Sequence, residues 1–165
     1  KMSAIARMVV ALGIVLVTLA MQIAGLRQGA MLYANDARSI NEGDVAAARW
    51  LAAHTSPDAQ VAVIDIGAMA YFGKRRIVDL VGLATPEVID VLTTTTPASL
   101  DREQRLKALM VELGVDYVVI FPEWFPYLAQ DAALTEEQSF VVPGATALAH
   151  DRVVVYRLDA EADAP

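Results

Sequence analysis

The sequence predicts an α/β protein: one N-terminal transmembrane helix followed by a small α/β domain with a mixed sheet of about five strands. Three observations predict it. A 19-residue run without charge, "MVVALGIVLVTLAMQIAGL", extends from Met8 to Leu26. Short β-branched runs then alternate with helix-like segments. The last two such runs follow one another with no helix between them, which reads as an antiparallel pair at a sheet edge.

The apolar run, as a helix, spans roughly 28 Å at about 1.5 Å per residue, close to the roughly 30 Å hydrocarbon thickness of a bilayer. Only Thr18 and Gln22 within it are clearly polar. It supplies much of the 56% hydrophobic content and the mean hydropathy of +0.42. A cleaved signal peptide is the main rival, with Lys1 and Arg7 as its basic flank and Thr18–Ala20 as its cleavage site, but the run is longer than a usual signal core. Residues 1–33 are therefore expected to be an anchor with its flanks, 34–158 a domain, and 159–165 a disordered tail. Because the chain begins at Lys1 rather than methionine, both a single-pass protein and the last helix of a longer many-helix protein stay open.

Charge divides along the same line. Residues 1–35 hold three basic residues and no acidic one; residues 36–165 hold ten basic and twenty acidic. Such an acidic domain repels phosphates, so nucleic acid is not an expected partner. The basic start favours an N-terminus inside the cell membrane and a domain on the extracytoplasmic side. The lipid bilayer, through Met8–Leu26, and other membrane helices or subunits are the expected partners. The chain has no cysteine, which excludes disulfides and thiolate metal sites.

After the span, "RQGAMLYANDARSINEGD" reads as a connector. Asn41 is expected to cap a helix over 42–54, with Glu42 and Asp44 in its first turn and Val45, Ala48, Leu51 and Ala52 on one face. Ser56–Ala59 is a turn, and "QVAVIDI" a buried strand broken at Gly67. "GAMAYFG" makes one or two helical turns. Arg76–Leu80 is a second strand, ended by Gly82. Thr85 is expected to cap a short helix with Pro86 in its first position, and Thr93–Ser99 to be a mobile polar loop. Asp101 caps the next helix, with Gln104 three residues on and a stripe of Leu106, Leu109, Met110 and Leu113. Gly114 stops it. "VDYVVIF" is a third strand ended by Pro122, "PEWFPYL" an aromatic turn or short helix, and "SFVVP" and "RVVVYRL" the closing pair.

Chemistry concentrates in "DIGAMAYFGKRRIVDLVGL", Asp65 to Leu83. Ligands of open α/β sheets bind beyond the carboxyl ends of strands, where Asp65 and Asp79 lie. Brought together, they would hold Mg²⁺ or share a proton, with Tyr71, Arg75 and Arg76 facing a phosphate or sugar. Alternatively both aspartates cap turns, Gly67 and Gly82 let the chain bend, and the arginines pair with the aspartates. The turn-capping reading is favoured, so no catalytic residue, metal or cofactor is assigned.

No dinucleotide fingerprint, phosphate-binding Walker loop, zinc motif or nucleophile elbow is present; His54 and His150 stand apart without partner ligands. "FPEWFPYL", Phe121–Leu128, holds four of the eleven aromatics. It is expected to form a hydrophobic lid, or else to bring Trp124, Phe125 and Tyr127 against the membrane interface or a partner helix.

The stretch "VAVIDIGAMAYFGKRRIVDLVGLATPEV" resembles a segment in the extracytoplasmic C-terminal region of bacterial multi-span lipid-linked-sugar glycosyltransferases, relatives of the dolichyl-phosphate-mannose protein mannosyltransferases. The resemblance lies in a last transmembrane helix and a helix ending in a Trp-Leu pair, here Trp50–Leu51. A D-x-G strand follows, here Asp65–Gly67, then Tyr71 and an R-x-V-D-x-x-G-L strand with Arg76, Val78, Asp79, Gly82 and Leu83. It covers the span and residues 41–90; beyond Val91 only the order of elements is similar. The family's catalytic acidic residues lie in an early loop with no counterpart in this sequence, so none is carried over. The resemblance implies a non-catalytic cap over a membrane core. The alternative is a single-pass accessory subunit of a larger membrane complex, with an assembly or stabilising role.

Overall fold

The computed structural model describes residues 2–160. Its first feature is a long rod. Helix α1 (Ala4–Ile40) passes through a π-helical segment (Asn41–Val45) into α2 (Ala46–His54) without leaving the helical region. The stretch expected as a connector is therefore helix, because nothing between Leu26 and Ser39 breaks one: it holds no proline, and its single Gly29 costs only about 1 kcal/mol. Asn41 caps nothing. Its side-chain amide instead donates to the Ala37 carbonyl at 2.8 Å, inside the continuous helix. The boundary expected at residues 33 and 34 falls within α1.

Strands β1 (Gln60–Val63), β2 (Arg76–Asp79), β3 (Tyr117–Ile120), β4 (Leu134–Val141) and β5 (Arg152–Leu158) form one sheet in the order β2-β1-β3-β5-β4. β1 is parallel to β2 and β3, whereas β5 is antiparallel to β3 and β4. The mixed five-stranded sheet is thus as the sequence predicts. β4 begins at Leu134, not at the expected Ser139. Its first half, "LTEEQ", lacks an apolar run because it is an edge strand with one face in water. There Glu136 pairs with Arg152 at 2.7 Å and Glu137 with Arg157 at 3.0 Å, and a bulge separates Glu136 from Gln138.

Helices α3 (Ile66–Gly73), α4 (Glu87–Thr94) and α5 (Leu100–Glu112) complete the domain. The cap of α5 is Ser99, whose Oγ accepts from the Arg102 amide at 3.2 Å; Asp101 lies within the first turn. The threonine run expected as a loop is partly the end of α4. Beyond it, Arg102 grips Thr95 through both its hydroxyl and its carbonyl, at 2.9 and 2.7 Å. The core is built from Val61, Val63, Val118, Ile120 and Val153–Val155 of the sheet, with Leu51, Met69 and Met110 from the helices. Asp159 donates its amide to the Ala133 carbonyl at 2.8 Å; the rest of the expected tail, residues 161–165, lies outside the described residues.

Two sets of contacts fix how the rod lies on the sheet. At one end, the Arg75 guanidinium, just before β2, takes the carbonyls of Leu51, Ala52 and Thr55 at the close of α2, at 2.9–3.2 Å. At the other end, Ile40 and Asp44 lie beside Ile64 and Asp65, where β1 ends. The rod therefore runs antiparallel to β1, and α1 leaves the domain past the carboxyl ends of the parallel strands.

Candidate functional site

Where the rod enters the domain, the β4–β5 turn is stitched to it. Asn35 donates to the Gly144 carbonyl at 3.1 Å and to the Thr146 hydroxyl at 3.0 Å. Arg38 donates to the Pro143 carbonyl at 3.1 Å, and Ser39 Oγ accepts from the Thr146 amide at 3.2 Å. One turn further on, Gly43 lies so close to Leu148 that a Cβ there would sit 2.5 Å from its Cδ1. A side chain at position 43 would therefore push the end of the Leu148 side chain aside.

The π-helical segment turns Gly43, Asp44 and Val45 inward. Asp44 is 3% exposed, and its carboxylate makes no hydrogen bond to any described residue. It lines a cavity of about 350 Å³ with Asp65, Ile40, Ile66, Leu83 and Ala147 among the walls. Burial, and secondarily the charge of Asp65, push the Asp44 carboxyl up to about 7. Asp65 keeps an exposed side, yet its apolar surroundings also raise its carboxyl above the usual range. These are the effects expected of a largely desolvated acid beside a second, partly desolvated one.

The sequence-predicted site residues divide around this cavity. Asp65 and Gly67 line it. Asp79 does not: it is fully buried, and its carboxylate is consumed by its own loop. Oδ1 accepts from the Val81 amide at 2.9 Å and Oδ2 from the Ala84 amide at 2.8 Å. Its own amide donates to Thr85 Oγ1 at 2.8 Å, so Thr85 closes this loop rather than capping α4. Gly82, at φ +85°, supplies the left-handed turn inside it. Arg75 is the clamp on α2 described above, while Arg76 and Tyr71 are exposed, the latter at 75%.

Asp65 thus faces Asp44, not Asp79. Asp44 escaped the sequence reading, although a signal existed: positions 44, 48 and 51 form one helical stripe with Ala48 and Leu51, and an aspartate on a buried stripe demands a reason. No group of three or more histidine, aspartate or glutamate side chains suited to a metal ion occurs among the described residues.

The aromatic segment after β3 lies at the same edge. Trp124, 46% exposed, meets the Phe121 ring at 5.7 Å and the His150 ring at 6.3 Å. Phe125 packs half-buried against both apolar clusters, and Tyr127 stays 48% exposed. Behind them Glu103, from α5, is buried. Its Oε2 accepts from the amides of Tyr127 and Leu128 at 2.9 and 2.6 Å, and Oε1 has no partner. Burial raises its carboxyl despite those two amides. A larger hollow, about 630 Å³, lies at the opposite edge of the sheet, but there the Asp116 carboxylate is already engaged by the Gln60 amide at 2.8 Å.

The fold and site together define a class: a small α/β domain carried on one helix that is long and apolar enough to cross a membrane. Residues 28–156 match the family described as a domain of unknown function (DUF8728), and the chain belongs to that family. The matched region begins just after the apolar run, so it includes the exposed part of the rod. Neither curated proteins nor solved structures provide a match.

Proposed function

We propose that this chain is a membrane-anchored extracytoplasmic domain acting as a non-catalytic cap, in the manner of the C-terminal region of lipid-linked-sugar glycosyltransferases. The observation that carries the reading is the uninterrupted rod. An anchor joined by a loop would leave the domain free to tumble. A helix that continues into the core instead presents one fixed edge of the sheet to the bilayer. That edge holds the Asp44 cavity, the exposed Leu83 and Val81, and Trp124. From Leu26 to Asn35, where the turn is stitched on, the helix rises roughly 13 Å at about 1.5 Å per residue, about twice the roughly 5–8 Å headgroup layer of one leaflet.

The test is topological and chemical. The chain has no cysteine, so a single Lys74→Cys variant reports its own side of the membrane. Labelling by an impermeant maleimide in intact cells is expected; protection until the cells are lysed would reject the reading. Turnover of a sugar or phosphate substrate by the purified full chain would reject the non-catalytic role.

The accessory-subunit alternative draws support from a different feature. Met31, Leu32 and Tyr33 are 57–76% exposed on the rod between the span and the domain. No described residue covers them, and a partner helix would. Co-purification with other membrane proteins in mild detergent would favour this alternative, and a lone species at the mass of one chain would count against it.

A further inference from the structure

We infer that the cavity between Asp44 and Asp65 binds a primary ammonium group carried on a short carbon chain. The inference stands apart from the cap reading, since it rests on the chemistry of the cavity. Asp44 is 3% exposed and has no hydrogen-bond partner among the described residues, yet it lines open space. Among the described residues Glu103 Oε1 is the one fully enclosed side-chain oxygen without a partner, so the Asp44 oxygens open onto this space, where a largely desolvated carboxylate gains from a cation. Asp65 lines the same space, and no basic residue does.

The other charged groups nearby are already committed. Arg38 and Glu42 pair with each other at 2.9 Å along the helix. Asp151, in the packed turn, is held by the amides of Gly144 and Ala145. None of these neighbouring side chains is left to pair with Asp44 or Asp65.

The walls decide which cation. Two carboxylates without a third ligand make a poor shell for Mg²⁺ or Ca²⁺, which need six or more oxygens. Ile40, Ile66 and Leu83 offer those ions nothing, but they suit a carbon stem. An –NH₃⁺ head has three donors, enough to reach both acids through charge-assisted hydrogen bonds. At about 350 Å³ the cavity is at the small end of ligand sites. The mouth lies on the edge from which α1 departs, so the amine can come from a phospholipid headgroup or from solution.

The experiment uses the full chain in non-ionic micelles, titrated with n-butylamine by calorimetry. Saturable binding is expected at pH 8. It should weaken roughly tenfold at pH 6, where an Asp44 carboxyl titrating near 7 is mostly protonated and must release that proton. Asp44→Asn should weaken binding at least tenfold at pH 8. Leu83→Trp should obstruct the mouth without touching the fold, because Leu83 is 82% exposed. Circular dichroism checks that both variants are folded.

Repeating the titration in nanodiscs separates the sources. Competition when ethanolamine phospholipid replaces part of the choline phospholipid assigns the lipid headgroup; unchanged affinity assigns a soluble amine. The inference is overturned by absence of saturable binding at pH 8, by folded variants that bind like the wild type, or by Mg²⁺ or Ca²⁺ displacing the amine at lower concentration.

Discussion

Thr146 donates its hydroxyl to Asp36 Oδ1 at 2.5 Å, tying the β4–β5 turn to the helix at the point where the two part company. With Asn35, Arg38 and Ser39 also engaged with this turn, the joint is a bracket of several hydrogen bonds, not a swivel. The double variant Asn35→Ala/Thr146→Ala should therefore loosen the joint while leaving the core intact. The expected loss is about 1–3 kcal/mol, taking about 1 kcal/mol for each net hydrogen bond. Faster amide hydrogen exchange confined to residues 35–45 and 143–148 would register it.

Asp44 makes stability depend on pH in an unusual direction. Its carboxyl is pushed from 3.8 up to about 7 in the folded chain. Between those values the folded state keeps a proton that the unfolded chain has released. Stability from this group is thus highest below about pH 4, falls as pH rises, and levels off above about pH 7. At about 1.4 kcal/mol per unit the total is a few kcal/mol at most. Asp44→Asn should remove the decline, so the variant should melt higher than the wild type at pH 8 and converge with it near pH 4.

Asp79→Ala should be among the more damaging single changes in the domain. It strips the acceptors from two amides in a fully buried loop. A loss of about 2–5 kcal/mol is expected from two charge-assisted bonds. Asp79→Asn keeps one acceptor oxygen and should lose about half as much. The relative melting temperatures of the two variants check the claim.

Glu103 separates charge from geometry. Glu103→Gln retains an oxygen for the Tyr127 and Leu128 amides and abolishes the buried charge but buries an NH2 where Oε1 has no partner, so it should cost about 1–2 kcal/mol and keep the segment in place. Glu103→Ala leaves both amides unsatisfied and should release the aromatic segment. Trp124 fluorescence shifting to the red in the alanine variant alone is the expected signature.

The span is tested by charge. Replacing Ile14 with Asp and Leu16 with Arg should add about 5–7 kcal/mol to membrane insertion. The wild type should then resist alkaline carbonate extraction and the double variant should appear in the supernatant.

Much of this architecture was legible because it is written in local chemistry. The span, the valine-rich strands and the Leu106–Met110 stripe each carry a pattern that only one environment satisfies. What escaped depends on distant partners. Asn41 has the composition of a helix start, but the stronger preference is continuity of a rod with nothing to break it. Thr85 looks like a cap and is instead spent on Asp79, a partner six residues back. The first half of β4 is polar because its neighbour is water and its pairing partner, β5, comes later in the chain. For the site, Asp65 is visible from its place at a strand end, whereas its counterpart, Asp44, has the look of an ordinary first-turn acid of a helix. Only the packing of the π-helical segment against the end of β1 brings the two together.

An unbroken helix between lipid and core also makes residue number an angular quantity. Each residue added between Leu26 and Asn35 would turn the domain by about 100° around the helix axis while lifting it only about 1.5 Å. Insertions of one or two residues would point the carboxyl edge at a different neighbour, and an insertion of seven would nearly restore its heading at roughly 10 Å greater height. Whatever the domain meets at the membrane surface, it meets with a phase set by the length of its stem.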